Sequence, residues 1–93
     1  MLNQLFEIIQ DRITNPIPDS YTVSLLLAGE DHICQKVGEE AVEVILAAKS
    51  QGATRLIEET ADLFYHTLVL LASQELTLAD VEAELRRRHL TKE

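Results

Sequence analysis

The stretch from Thr54 to Ser73, TRLIEETADLFYHTLVLLAS, decides the fold of this chain. Its apolar residues recur at spacings of three and four, which is the period of one helix face. From Leu63 onward the stretch is apolar almost all round, as expected of a helix that other helices surround. We therefore predict a central helix from Thr54, whose hydroxyl can cap its first turn, to about Ser73.

Four more helices are predicted around this one, because apolar residues at helical spacing alternate with glycine, proline and capping signals. Ser20 and Thr77 are the expected caps of the second and fifth helices, and Thr77 with Asp80 resembles a capping box. The predicted ranges are residues 2–14, 20–28, 30–49 and 77–89. A short loop makes the third and fourth helices antiparallel neighbours. We expect one all-α domain over residues 1–93, a small bundle of four to five helices with an antiparallel central pair.

Length and cysteine content constrain how such a bundle is stabilised. With 93 residues, a monomer buries only about 60–65% of its unfolded surface, so we expect dimerisation or higher homo-oligomerisation to complete the core. Cys34 is the single cysteine, which excludes an intramolecular disulfide and favours a reducing compartment. The first residues do not resemble a secretory signal, and the longest apolar run is far short of the ~20 residues that cross a bilayer. We predict a cytoplasmic protein without a membrane partner.

The charge of the chain disfavours nucleic acid as a partner. The formal net charge is −8, and residues 1–85 hold fifteen acidic against four basic side chains, a local charge of −11. Such a surface repels a phosphate backbone. It can still hold phosphates where a divalent cation lies between carboxylate and phosphate.

Two pairs of acids suggest where such a cation binds. Glu40 with Glu43, and Glu59 with Asp62, are each three residues apart and so share one helix face. Glu43 and Glu59 are each eight residues from residue 51 in the middle of the loop, which puts them at the same height in an antiparallel pair. Four converging carboxylates repel one another unless a cation neutralises them.

Oxygen donors without cysteine or paired histidine select Mg²⁺, with Mn²⁺ possible, rather than Zn²⁺. The alternative is that both acid pairs are ordinary solvated helix faces. Asp62 supports the metal-site interpretation over the alternative. It begins the apolar part of its helix, and a buried acid there needs a cation or a hydrogen-bond donor.

Three nearby residues have two interpretations each. Lys36 lies four residues before Glu40 and can form an intrahelical ion pair or contact a metal-held phosphate. Gly38 allows either close helix packing or room for a ligand. His66 lies on the acid face, where a histidine is more often a hydrogen-bonded supporting residue than a ligand. Arg86 to Arg88 are most simply a solvated last turn that complements the helix dipole, and the alternative is that they bind substrate phosphates across a dimer.

These residues together resemble the phosphoribosyl-ATP pyrophosphohydrolase family, part of the all-α MazG-like nucleotide pyrophosphohydrolases. The resemblance covers roughly residues 5–89. The motifs that carry it are Ser20-Tyr21-Thr22, Lys36-Val37-Gly38-Glu39-Glu40-Ala41-Val42-Glu43, Glu59-Thr60-Ala61-Asp62-Leu63-Phe64-Tyr65-His66 and Leu85-Arg86-Arg87-Arg88-His89. By resemblance, Glu40, Glu43, Glu59 and Asp62 would be the Mg²⁺ ligands. Thr60 departs from the alanine that is more usual there, but it is small enough to be tolerated.

The resemblance implies hydrolysis of the α–β phosphoanhydride of phosphoribosyl-ATP, giving phosphoribosyl-AMP and pyrophosphate, the second step of histidine biosynthesis. Glu39 would then orient the attacking water, while Lys36 and Arg12 would hold phosphates. No cyclohydrolase segment precedes the domain, so the stand-alone form is expected. Two alternatives remain open: a housekeeping pyrophosphohydrolase acting on dUTP, dCTP or damaged nucleotides, and a non-catalytic helical dimerisation module.

Overall fold

The computed structural model describes residues 1–90, which form five helices and contain no β-strand. The helices are α1 (Leu2–Thr14), α2 (Tyr21–Ala28), α3 (Glu30–Ser50), α4 (Ala53–Ser73) and α5 (Leu78–His89). The prediction of an all-α bundle is confirmed, and every helix ends within two residues of the predicted range. The last three residues of the predicted domain, 91–93, lie outside the described residues. No helix within residues 1–90 is both long and apolar enough to span a membrane.

The buried core lies at one end of the antiparallel α3–α4 hairpin, the end opposite its loop. Ile33, one turn into α3, packs here with residues from the second half of α4, and α1 and α2 cover them. The buried members of this core are Phe6, Ile9, Leu25, Ile33, Leu68, Val69 and Ala72. The hairpin therefore extends beyond its own core, and this extension carries the acidic residues.

Gly52 makes the tight connection between α3 and α4 possible. Its φ of 88° lies in the left-handed region, which a residue without a Cβ adopts at little cost. Several large apolar side chains in the loop half of the hairpin are exposed in the single chain, although Ala47 is buried. These exposed residues are Val42, Ile45, Leu46 and Ile57.

Two of the three predicted helix caps are confirmed. The Ser20 hydroxyl accepts a hydrogen bond from the backbone N–H of Val23 at 3.2 Å, and Thr77 forms a complete capping box with Asp80. The cap predicted at Thr54 is wrong, because α4 begins at Ala53 after Gly52 and has no side-chain cap. Thr54 already has helical backbone there, and a capping side chain must precede the first helical residue.

α5 packs only lightly on the rest of the chain. Within residues 1–90 it contributes no buried side chain, although Leu78 packs partly against the core. Between α5 and α4 lies an open apolar groove of about 380 Å³. The groove residues are Leu2, Leu63, Phe64, Thr67, Leu68, Leu71, Leu78, Val81 and Leu85. Phe64 is 49% exposed, so the expectation that α4 is enclosed from Leu63 onward is wrong for this residue in the single chain.

The caps give a stability test with an internal control. Ser20→Ala removes an observed cap from a helix that is anchored in the core by Leu25, so it should lower the free energy of unfolding by about 1 kcal/mol. Thr54→Ala removes a hydroxyl that caps nothing, so its effect should stay within about 0.5 kcal/mol. Urea denaturation monitored by circular dichroism measures both. Equal losses in the two variants would contradict the assigned helix start.

Candidate metal centre

The α3–α4 hairpin brings three carboxylates together at mid-height. Glu40 from α3 and Glu59 and Asp62 from α4 each offer an oxygen, and these oxygens all lie within 4.8 Å of one another. Because the hairpin is antiparallel, residues at similar distances from its loop face each other, as the sequence predicted. The two helices thus aim carboxylates at one point.

Glu43, the fourth predicted ligand, is not part of this group among the described residues. Residues three apart on a helix differ in direction by about 60°, so two acids on one helix face need not reach the same point. Glu43 lies one turn nearer the loop than Glu40. There its negative charge contributes to raising the pKa of Arg55.

The three acids differ in burial, and not in the predicted way. Glu59 is buried, with a side chain that is only 7% exposed, whereas Asp62 is exposed. The prediction that Asp62 is buried is therefore wrong, because its side chain lies on the exposed side of α4. Glu59 is the acid whose burial requires a partner.

Crowding perturbs the proton equilibrium of Glu40. Burial raises the pKa of its carboxyl, and the charge of Asp62 and a hydrogen bond with Glu59 raise it further. Each of these causes disfavours a second or third negative charge in the same small volume. A bound dication would remove that penalty, and the all-oxygen donor set suits Mg²⁺ or Mn²⁺. The residues therefore fit the metal that the sequence suggested.

Arg55 is the partner of the buried acid, and the sequence analysis did not single it out. Its guanidinium donates to Glu59 Oε1 at 2.5 Å and to Glu58 Oε1 at 2.9 Å. The hydrogen bond to Glu58 and the charge of Glu59 raise the pKa of Arg55. The spacing of four between Arg55 and Glu59 was the available signal, since residues at that spacing share a helix face. Only the burial of Glu59 distinguishes this pair from a surface ion pair.

Lys36 stands at the other end of the acid group. Its ammonium lies 3.7 Å from Glu40 Oε1 and 3.4 Å from Glu39 Oε1, so the predicted ion pair with Glu40 is present. Burial lowers the pKa of Lys36, but the interaction with the Tyr21 phenol and the hydrogen bond and charge of Glu39 more than offset this, and the net change is upward. The ammonium therefore stays charged, as a phosphate ligand requires.

Glu39 lies beside the acid group rather than within it. It is exposed and accepts a hydrogen bond from Gln35 at 3.1 Å. This bond and that from Lys36 lower the pKa of the Glu39 carboxyl. Glu39 is therefore a carboxylate at neutral pH, able to accept a hydrogen bond from water.

His66 is a buried, hydrogen-bonded residue next to the acid group, as its position in the sequence predicted. It is buried, and its Nδ1 lies 2.8 Å from the backbone oxygen of Asp62. A carbonyl only accepts, so Nδ1 carries the proton and Nε2 is free to accept. The Tyr21 hydroxyl donates to that Nε2 at 2.9 Å. The start of α2 is thus tied to α4 beside Asp62.

Two further residues from the sequence analysis, Arg12 and Gly38, can now be compared with the structure. Arg12 pairs with Asp11 and lines a separate cavity with Ala72 and Ser73, about 15 Å further along α4 than Asp62. The structure does not bring Arg12 to the acids. At Gly38 an added Cβ would meet nothing within 4 Å, so close packing within the chain does not explain this glycine.

Comparisons with known proteins identify the family to which this chain is similar. The family model of phosphoribosyl-ATP pyrophosphohydrolase matches residues 2–89. A Pyrobaculum islandicum protein named phosphoribosyl-ATP pyrophosphatase is 52% identical over 88 residues, which cover 95% of this chain and 94% of the relative. A Clostridium acetobutylicum protein of the same name is 47% identical over 89 residues, covering 96% of this chain and 81% of the relative. The histidine biosynthesis bifunctional protein HisIE of Gloeobacter violaceus is 49% identical over 87 residues, 94% of this chain and 39% of the relative.

The neighbouring acids Glu58 and Glu59 allow a matched test of the metal site. Both pair with Arg55, but only Glu59 belongs to the carboxylate group. Glu59→Gln should weaken Mn²⁺ binding by at least about tenfold in isothermal titration calorimetry, and Glu58→Gln should leave it within about threefold. Binding should also weaken at acid pH, because protons compete for Glu40, whose pKa is raised. Equal binding by both variants would rule out this site.

Proposed function

The chain belongs to the phosphoribosyl-ATP pyrophosphohydrolase family, and we propose that it hydrolyses phosphoribosyl-ATP to phosphoribosyl-AMP and pyrophosphate. This reaction is the second step of histidine biosynthesis. The observation that carries the proposal is the group of Glu40, Glu59 and Asp62, which forms an oxygen-donor site within a chain that matches the family over nearly its whole length.

The metal supplies charge neutralisation in this proposal. Mg²⁺, or Mn²⁺ in its place, would be held by Glu40, Glu59 and Asp62, and would offset the charge that develops on the phosphate oxygens in the transition state. Glu43, one turn nearer the loop, stays a predicted fourth ligand.

The remaining steps belong to side chains of the protein. Lys36 binds a phosphate oxygen through its ammonium. Glu39 accepts a hydrogen bond from the attacking water and so orients it. The water oxygen bonds to the α-phosphorus as the bridging α–β P–O bond breaks. Pyrophosphate leaves with the electron pair of that bond, and the proton that the water loses is released to solvent. The reaction needs no covalent intermediate and therefore no serine or cysteine nucleophile.

Activity measurements test this proposal directly. Purified protein with Mg²⁺ should release pyrophosphate from phosphoribosyl-ATP in preference to a panel of nucleoside triphosphates that includes dUTP and dCTP. Glu40→Gln and Asp62→Asn should each lower kcat/KM by about 100-fold or more, because they remove charge that holds the metal. Glu82→Gln, an exposed acid on α5, is the matched control and should retain activity.

The other outcomes of this assay identify the alternatives. Preference for a plain nucleoside triphosphate would contradict the histidine-pathway substrate and favour a housekeeping pyrophosphohydrolase. Undiminished hydrolysis in the Glu40 and Asp62 variants would contradict the site. Absence of both metal binding and hydrolysis would leave a helical dimerisation module.

We further propose that the protein is a homodimer and that the α4–α5 groove is part of its interface. The single chain leaves Phe64 and the α5 stripe of Val81 and Leu85 exposed beside an apolar groove. Burying such apolar area is favourable by about 25 cal/mol per Å². The stripe on α5 has the spacing of a helix face that packs against another helix.

Charge indicates that the occupant of the groove is a second copy of this chain. Arg86 to Arg88 follow the groove residue Leu85, whereas residues 1–85 carry a local charge of −11. In a two-fold dimer each basic end of α5 can approach the acidic body of the partner. The same acidic body disfavours nucleic acid as the occupant.

Light scattering after size-exclusion chromatography tests the interface. The wild-type protein should have about twice the 10.5 kDa mass of one chain. Phe64→Ser with Leu85→Ser should shift the mass towards the monomer, because both groove side chains lose apolar area. Leu27→Ser is the control, since Leu27 is 82% exposed on α2 outside this groove. A dimer that survives the double variant, or fails in the control, would contradict the assignment.

We place the reaction in the cytoplasm, together with other steps of amino-acid synthesis. Cys34 supports this location, since it is an exposed, unpaired thiol that suits a reducing compartment.

A further inference from the structure

We propose that the exposed ring face of Tyr21 is the platform on which the purine base of the substrate stacks. The inference rests on the proposed function for the identity of the nucleotide, and it adds the base-binding subsite that the carboxylate group cannot supply. Carboxylates and a metal engage the phosphate tail of a nucleotide, whereas a base is recognised through its flat apolar faces and its edge.

The ring of Tyr21 is held in place from two sides. Its hydroxyl donates to the buried Nε2 of His66 at 2.9 Å. One of its faces packs against Tyr65, with ring centroids 6.1 Å apart and an angle of 26° between the planes. The Tyr65 hydroxyl is itself hydrogen-bonded to Thr22, the residue that follows Tyr21. An aromatic ring that is anchored in this way loses little conformational entropy when a ligand binds.

Tyr21 remains 52% exposed although its hydroxyl and one ring face are engaged, and we infer that the face opposite Tyr65 is the part available to a ligand. Ser20 already caps α2, so the start of that helix does not require an anchored aromatic side chain at the next residue. The face opposite Tyr65 is the part of Tyr21 that these contacts do not use.

The platform lies at the edge of the carboxylate group. Lys36 and His66 are equally far from the middle of the α3–α4 loop, so they face each other one level above Glu40 and Asp62. Tyr21 contacts His66 directly, which places its hydroxyl at the level of Lys36 along the hairpin. Lys36 in turn lies 3.7 Å from Glu40. The order is therefore aromatic ring, ammonium and carboxylates, which matches the order of base, phosphate and metal in a bound nucleotide.

This order also gives the substrate a direction in the site. With the purine on Tyr21 at the α2 end, the triphosphate runs along the hairpin towards its loop. The leaving pyrophosphate then lies on the side of Arg55, a basic residue that pairs with Glu59 of the carboxylate group.

Steady-state kinetics of two Tyr21 variants test the platform. Tyr21→Leu removes the aromatic face, and we expect KM for phosphoribosyl-ATP to rise by about 5- to 150-fold while kcat changes by less than about threefold. Tyr21→Phe keeps the face and loses only the hydroxyl, so its KM should stay within about threefold of wild type. The competitive inhibition constant of inorganic tripolyphosphate, which has no base, should be unchanged in both variants.

A fluorescence titration gives a second readout that does not depend on turnover. The chain has no tryptophan, so Tyr21→Trp introduces one indole at the platform while keeping an aromatic face. AMP, which carries the purine but no anhydride, should quench its fluorescence when the indole is excited beyond the absorption of adenine. Ribose 5-phosphate should not.

Each contrary result identifies what fails. An unchanged KM in Tyr21→Leu, or no quenching by AMP, would overturn the platform. Equal defects in Tyr21→Phe and Tyr21→Leu would assign Tyr21 to holding His66 instead. A matching rise in the tripolyphosphate inhibition constant would show general damage to the phosphate site and would also overturn the proposal. Lack of phosphoribosyl-ATP hydrolysis by the wild-type protein is a separate failure, of the proposed function itself.

Discussion

Repulsion among three carboxylates that face one another across the α3–α4 hairpin is the constraint that the residues around the candidate site have to satisfy. Glu40, Glu59 and Asp62 approach closely enough to share one cation. Without a cation, the chain reduces their repulsion in two ways. Burial, the Asp62 charge and the hydrogen bond with Glu59 favour the protonated form of Glu40, and Arg55 neutralises Glu59. Both effects lower the electrostatic repulsion among the three acids.

The position of the core explains how the hairpin tolerates this arrangement. The buried apolar residues, including Ile33 and Val69, lie at the end of the hairpin away from its loop. They hold the two long helices together at one end, so their register, and with it the height of the acids, is set by packing that does not involve the acids. The site can therefore be electrostatically strained without removing the contacts that determine the fold.

Local pattern was enough to predict the helices and the height of the acid pairs. Periodicity and capping chemistry act within a few residues, and counting from the loop gives height because the rise per residue is constant. Rotation of each helix about its axis was not predictable in this way. That rotation excludes Glu43 from the group, leaves Asp62 exposed and buries Glu59. It depends on how the core side chains of several helices interlock, which no single segment encodes.

The same limit accounts for two residues whose contacts the sequence did not indicate, although Tyr21 belongs to a motif that carries the family resemblance. Arg55 and Tyr21 occur in ordinary surroundings, one in a helix with i+3 and i+4 acids and the other after a capping serine. Their importance depends on burial and on contacts between helices, namely the buried carboxylate that Arg55 pairs with and the buried imidazole of His66 that Tyr21 binds.

A strongly acidic protein can bind a polyanion only where its negative charge is locally offset. The body of this chain carries a local charge of −11 over residues 1–85, which repels a triphosphate at long range. Among the described residues, the basic side chains paired with the carboxylate group are Lys36 and Arg55, one on either side of it. A dication between them makes this acidic part of the surface favourable for phosphate. Affinity for the substrate at this site is then conditional on the metal, and a phosphate compound that arrives there without one meets repulsion from the acids.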